Sequence, residues 1–392
     1  MAIFLCCSIW GGSALFKGLY CLLSSVRRTS VQVYEWEKTF ATGDRLPKFS
    51  HIDDVAIRHP DLGFSGHKFA HAVIKAEYLI ESEYTLPSIG FLFQAYDILD
   101  FTAPIIELRP GASRVLNDFS NSAMAGRIGQ GLCLLYAQSL GLKFTAHLRS
   151  HVESLPVGSR AYKRRKDAAA DFLFTDGVKT ILVESKASFS LVGNNPSAIK
   201  KVLKKALVRQ IDPWMKYLKP TPSNGYVMYS CLREGAWEPS AIFVVDPEGD
   251  ESDEAPIPFD VEQVMRENYS GWFRAMGLAD SASRLLGLST NVGEPTLYEF
   301  FVFEYQGRKF AYPADYMYVS NYPWGEPISG IDLTVLQAIS EVITTKEKTL
   351  EALLSDYVPL VVGEGVAFSV FSDGSVFGPP PNVKGYPETV ML

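Results

Sequence analysis

Three residues of this chain carry groups able to act together: Asp171, Glu184 and Lys186. They flank Asp176-Gly177, the strongest short hairpin signal, which sits between Phe172-Leu173-Phe174-Thr175 and Thr180-Ile181-Leu182-Val183. With Asp176-Gly177 as a two-residue loop, Thr175 faces Val178, Leu173 faces Thr180 and Asp171 faces Leu182. Side chains alternate between the faces of a strand. Asp171, Leu182, Glu184 and Lys186 therefore share one face, with Glu184 the diagonal neighbour of Asp171. Diagonal neighbours sit about 7–8 Å apart at the backbone, near enough for one divalent cation to touch both carboxylates beside the Lys186 ammonium. Ile181-Leu182-Val183 leaves both faces of the second strand apolar, the pattern of a covered central strand. Charge in such a place is tolerated when it is paired or coordinates metal. A plain ion pair at a strand end is the bland alternative.

The pattern of Asp171 followed by Glu184-Ser185-Lys186, on adjacent strands between an upstream helix and a downstream basic helix, resembles the PD-(D/E)XK nuclease superfamily. The resemblance covers about residues 121–247, a third of the chain. It implies a restriction-endonuclease-like core, a mixed sheet flanked by helices, with Asp171 as the family's aspartate and Glu184 and Lys186 as the ExK pair. Position 170 is Ala rather than Pro. Members often supply another acid from the helix before the hairpin. Here Gly126 to Gln138 contains no carboxylate, and Gln130 stands in that place. An amide oxygen can ligate a hard cation or hold a water without adding charge, so the resemblance implies one metal ion or a weak second site.

The implied catalytic set is Asp171, Glu184, Lys186 and Gln130, with Mg²⁺ (or Mn²⁺) on Asp171 and Glu184. The implied reaction is phosphodiester hydrolysis: the metal polarises the phosphoryl oxygen and activates water, and Lys186 steadies that water or the developing charge. DNA is the expected substrate ahead of RNA, and defence against foreign DNA the expected setting. The alternative is a degenerate nuclease fold that binds nucleic acid or scaffolds a complex without cutting.

The elements that must position these residues can be read from pattern. Asn121 or Ser122 can cap a helix carrying Met124, Ile128, Leu132, Leu135 and Tyr136 at helical spacing, which Gly141 ends. Residues 142–148 read as the first strand. Arg160-Ala161-Tyr162-Lys163-Arg164-Arg165-Lys166 reads as a basic loop before the Asp171 strand. After Lys186, Ser197 can cap a helix whose apolar stripe is Ile199, Val202, Leu203, Ala206, Leu207 and Ile211. Its basic face holds Lys200, Lys201, Lys204, Lys205 and Arg209, and Asp212-Pro213 interrupts or restarts it. Gln210 resembles the glutamine that some exonuclease-like members place after the ExK strand, but reads first as a polar position on a partly exposed helix. Residues 226–232 and 241–245 read as two further strands.

Charge sharpens this. The chain is net −7, yet residues 143–219 hold 16 Lys and Arg against 6 Asp and Glu, leaving the rest net −17. A basic block on an acidic chain is the footprint of a polyanion site. Arg160, Lys163, Arg164, Arg165, Lys201, Lys204 and Lys205 are the expected grip on phosphates.

At 392 residues the chain exceeds one ordinary domain. We expect an α/β protein with an additional N-terminal α/β region at 1–115 and the nuclease-like domain at 116–248. An acidic linker at 249–255 and a C-terminal α+β region at 256–392 follow. That last region has helices near 261–276 and 332–354 and hairpins around Gln306-Gly307 and Asp373-Gly374. His67 and His71 share an i, i+4 helical spacing but read as ordinary packing residues. Five cysteines without a CxxC pair argue for a reducing compartment, hence the cytoplasm, and against structural zinc. The apolar stretch Met1 to Leu23 is interrupted by Gly11-Gly12 and Lys17 and lacks a basic lead, so neither a membrane span nor a signal peptide is expected. A partner protein or a second copy is expected to use the N- or C-terminal region.

Overall fold

The apolar run Ile181-Leu182-Val183 lies at the centre of a mixed sheet, and the rest of the fold is laid out from it. The computed structural model describes residues 28–40, 49–51, 57–78, 95, 98–115, 118–189, 196–235, 238–247, 260–287, 294–314, 329–345, 347–363, 366, 368–378 and 385–392. The expected acidic linker 249–255 and the apolar stretch Met1 to Leu23 lie outside these residues.

In chain order the first elements are β1 (Arg28–Phe40), β2 (Phe49–His51), β3 (Ile57–Ser65), helix α1 (Gly66–Tyr78), a two-stranded pair β4 (Leu99–Asp100) and β5 (Glu107–Leu108), and helix α2 (Asp118–Ser139). Next come β6 (Phe144–His147), β7 (Phe172–Thr175), β8 (Thr180–Phe189), helix α3 (Pro196–Ala206), a π-helical turn (Leu207–Ile211), helix α4 (Asp212–Tyr217), β9 (Asn224–Leu232) and β10 (Ala241–Pro247). Helix α5 (Val261–Ala275), β11 (Leu297–Tyr305), β12 (Arg308–Pro313), β13 (Ser329–Asp332), helix α6 (Leu333–Thr345), β14 (Ser369–Val370), β15 (Ser375–Phe377) and β16 (Tyr386–Met391) complete the frame.

The larger sheet has eight strands in the order β2-β1-β10-β9-β8-β7-β6, with β3 also paired to β1. The pairs β8–β9 and β1–β10 are parallel and the others antiparallel. The fold is thus mixed α/β, a mixed sheet flanked by helices. The sheet runs across the expected boundary at 115/116, because β1 pairs directly with β10 and buries Trp36 against Phe243, ring centroids 5.3 Å apart. Pro60 lies inside β3. The register between β1 and β3 shifts between Val31 and Val33, where Val31 pairs with Leu62 and Val33 with His59. An irregularity on an edge strand is where a residue without an N–H is tolerated.

The second sheet is antiparallel, in the order β14-β15-β13-β12-β11-β16. Its β11–β12 hairpin turns at Gln306-Gly307, both with positive φ (49° and 76°), the two-residue turn that matches strand twist. A buried polar network joins the two halves. Lys75 on α1 is ion-paired with Asp373. Asn268 Nδ2 donates to Asp373 Oδ2 at 2.7 Å, Ser375 Oγ to Asp373 Oδ1 at 2.6 Å, and Tyr269 to the Asp373 carbonyl at 2.8 Å. Burial pushes the Asp373 carboxyl up, but Lys75, Asn268 and Ser375 more than offset it and leave it low. His71 is buried in the same network, between Ser369 and Ser375, each 3.1 Å away. His67 is also buried. Among the described residues, no helix is long and apolar enough to cross a membrane.

Candidate active site

The β7–β8 hairpin pairs Thr175 with Thr180, Leu173 with Leu182 and Phe172 with Val183. This corrects the expected register by two residues. The loop is Asp176 to Lys179, because the Asp176 carboxylate folds back onto it. Its Oδ1 accepts from Val178 N at 2.8 Å and from Lys179 N at 2.7 Å, and Gly177 takes φ 104°. Such an aspartate turn competes with the tight two-residue loop. A shift by an even number keeps every side chain on its face. Asp171, one residue before the first pair, therefore falls in line with Glu184 instead of diagonal to it.

The three residues converge. Glu184 is fully buried, and its Oε1 is ion-paired with Lys186 Nζ. Lys186 is 37% exposed and forms the open side of the site. Asp171 Oδ2 accepts from the Ser185 backbone N–H at 2.9 Å, which fixes this carboxylate against the strand segment between Glu184 and Lys186. Neither oxygen of Glu184 accepts a hydrogen bond of regular geometry. Burial and then the neighbouring Asp171 push the Glu184 carboxyl up to about 8, against the opposing pull of Lys186 and the Gln210 amide. Burial also raises Asp171, offset in part by the Ser185 N–H and Lys186. Two carboxylates this close and this dry resist ionising together without a cation between them.

The segment entering Asp171 is held by the chain that follows β8. Trp214 Nε1 donates to the Ala168 carbonyl at 2.8 Å, and Gln210 Nε2 to the Ala169 carbonyl at 2.9 Å. Gln210 sits in the π-helical turn, an irregularity frequent at functional sites. The next residue, Ile211, packs so closely on β9 that a Cβ at Gly225 would lie 2.5 Å from its Cγ2. Gly225 pairs with Leu182, two residues before Glu184 on the same face. The π turn and α4 thus cover the face that carries the carboxylates.

Helix α2 starts at Asp118, three residues before the expected cap, and approaches the other face. A Cβ at Gly129 would lie 2.5 Å from Ala187 Cβ and 3.6 Å from Ser185 Oγ, side chains that alternate with Glu184 and Lys186. Gln130 is half-buried on this helix, and among the described residues no hydrogen bond joins it to Asp171, Glu184 or Lys186. The residue of α2 that feels both carboxylates is the buried Cys133, whose thiol is pushed well up by burial, then by Asp171 and Glu184. Nothing in the letters around Cys133 announces this. Gln210, by contrast, carried a signal in its position after the ExK strand.

The basic residues flank this centre. Arg160, Lys163 and Arg164 are exposed, on and just after a short helix (Arg160–Lys163) where a loop was expected. Ser159 caps it by accepting from Tyr162 N at 3.1 Å. Arg165 is half-buried with its guanidinium 4.2 Å above the Tyr162 ring. Lys201, Lys204 and Lys205 are exposed on α3.

The donor set suits a single hard cation. Two carboxylates converge, one of them fully buried, and an ammonium already stands where a positive charge is needed. Among the described residues, no cluster of three or more His, Cys, Asp and Glu side chains offers a fuller metal site. No family model, curated protein or solved structure matches the chain.

Proposed function

We propose that the chain is a metal-dependent nuclease of the PD-(D/E)XK kind, built on a restriction-endonuclease-like core, that hydrolyses phosphodiester bonds, of DNA ahead of RNA. The observation that carries this reading is the convergence of Asp171, Glu184 and Lys186 around a fully buried carboxylate. Asp171 and Glu184 would hold Mg²⁺ or Mn²⁺. Bound there, the ion would supply Lewis-acid polarisation of a phosphoryl oxygen and a more acidic water. Lys186, partly exposed at the mouth, steadies negative charge on the phosphate. Gln210 and Trp214 fix the approach to Asp171 through the Ala169 and Ala168 carbonyls. The basic residues of the 160–165 run and of α3 hold the backbone of the substrate. A cytoplasmic setting and a role against foreign DNA belong to the same proposal.

Purified full-length protein incubated with linear, nicked and single-stranded DNA tests it, in Mg²⁺ and in EDTA. Cutting in Mg²⁺ alone, lost in Asp171→Ala and Lys186→Ala, is expected. Equal absence of cutting in every lane favours a second reading, a nucleic-acid-binding scaffold on a degenerate site. That reading is supported by the lack of a third acid beside the pair among the described residues.

A further inference from the structure

Arg160 and Arg164 come from the segment before Asp171, and Tyr217 from the end of α4, more than fifty residues later. The fold brings them together. The Arg160 guanidinium lies 5.2 Å from the Tyr217 ring centroid and that of Arg164 5.7 Å. The Tyr217 ring is itself fixed edge-on against Trp214, centroids 5.6 Å apart at 78°. Trp214 is buried and hydrogen-bonded to the Ala168 carbonyl. One aromatic ring, anchored to the backbone that leads into Asp171, therefore organises two guanidinium groups.

A guanidinium on an aromatic face keeps its N–H donors in plane and available, with less rotamer freedom left to lose on binding. Both arginines are exposed. Among the described residues Arg160 forms no ion pair with a carboxylate, and the Asp167 partner of Arg164 is 3.7 Å away, with both side chains about half exposed. Such a pair contributes little. Two exposed guanidinium groups held at one ring, without a strong internal anion, are the chemistry that takes a phosphate group. Ala168 is three residues from Asp171, a span of at most about 10 Å, and the two guanidinium groups stand farther out, beyond Trp214 and the Tyr217 ring.

We propose that Arg160 and Arg164, stacked on Tyr217, form a phosphate clamp that grips the backbone of the nucleic acid outside the carboxylate site and without reading its bases. The clamp rests on the nuclease reading for its purpose, but its test does not need cutting.

Binding of fluorescein-labelled oligonucleotides of two unrelated sequences is measured by anisotropy in EDTA, across a series of KCl concentrations, with the full chain. Arg160→Gln and Arg164→Gln each weaken binding several-fold on both sequences and reduce the slope of log affinity against log salt by about one. Tyr217→Leu, which removes no charge, also reduces that slope by one to two, and Tyr217→Phe restores it. Tyr217→Leu combined with Arg160→Gln loses less than the two single losses together. An unchanged slope in Tyr217→Leu, or unaltered binding in both arginine variants, overturns the clamp. Circular dichroism and melting of Tyr217→Leu and of the exposed arginine variants separate loss of the clamp from loss of fold. If the clamp variants behave as stated while the wild type never cuts in Mg²⁺, the clamp stands and the nuclease reading falls.

Discussion

Glu184→Gln isolates the electrostatic tension at the centre of the site, since the amide keeps the shape of the side chain and removes its charge. In the wild type, burial and then Asp171 lift this carboxyl from 4.5 to about 8. In the unfolded chain a glutamate titrates near its ordinary value, about 4.3. Between these values the folded state holds a proton that the unfolded state has released, so stability falls as pH rises. The stabilisation of the protonated form is fully present below about pH 4.5, and its loss is complete above about pH 8. At about 1.4 kcal/mol per pH unit, the loss is on the order of 5 kcal/mol. The glutamine variant has no such dependence at this position. Urea denaturation in EDTA at pH 5 and pH 8.5 reads the difference: near-equal stabilities at pH 5, and a variant more stable by a few kcal/mol at pH 8.5. Burial raises Asp171 as well, and its charge is part of what lifts Glu184, so Asp171→Asn recovers part of the same gain. Mg²⁺ added at pH 8.5 stabilises the wild type and leaves Glu184→Gln unmoved, because a cation needs the second charge. A wild type that gains on the variant between pH 5 and 8.5 refutes the reasoning, since the Lys186 ion pair would then outweigh burial.

Gly129→Ala forces a Cβ to within 2.5 Å of Ala187 Cβ at the α2–β8 contact. Overpacking of this kind costs about 1–3 kcal/mol, and Ala187→Gly in the same chain recovers most of it, as read by thermal melting. Lys75→Met leaves Asp373 charged and buried between α1, α5 and the second sheet, at a cost of about 3–5 kcal/mol. Adding Asp373→Asn to Lys75→Met removes the stranded charge and returns part of that stability in urea denaturation.

The parts of the fold that the letters disclose are those encoded locally. Alternation fixes which residues share a face of β7 and β8, and Gln306-Gly307 fixes a hairpin because both positions need positive φ. The two-residue slip at Asp176-Gly177 was invisible for a physical reason. Asp-Gly satisfies a tight turn, but the Asp176 side chain can also bond Val178 N and Lys179 N, and it does. Only an even slip keeps Asp171 and Glu184 on one face, so their convergence is the same with either turn. Insertion of β1 beside β10 was illegible because parallel neighbours distant in sequence share no turn.

The different placement of Gln130 and Gln210 follows from the same two-faced geometry. Helix α2 comes before the hairpin, and its Gly129 packs on the side of Ser185 and Ala187, opposite to the carboxylates. An amide reaching Glu184 from its own side must come from the chain that covers Leu182 and Gly225, which is the π turn. Gln210 lies in the π turn and Trp214 four residues on, in α4, a spacing that keeps both on one side of the helical segment. Both side chains turn toward the Ala168-Ala169 backbone and secure the approach to Asp171.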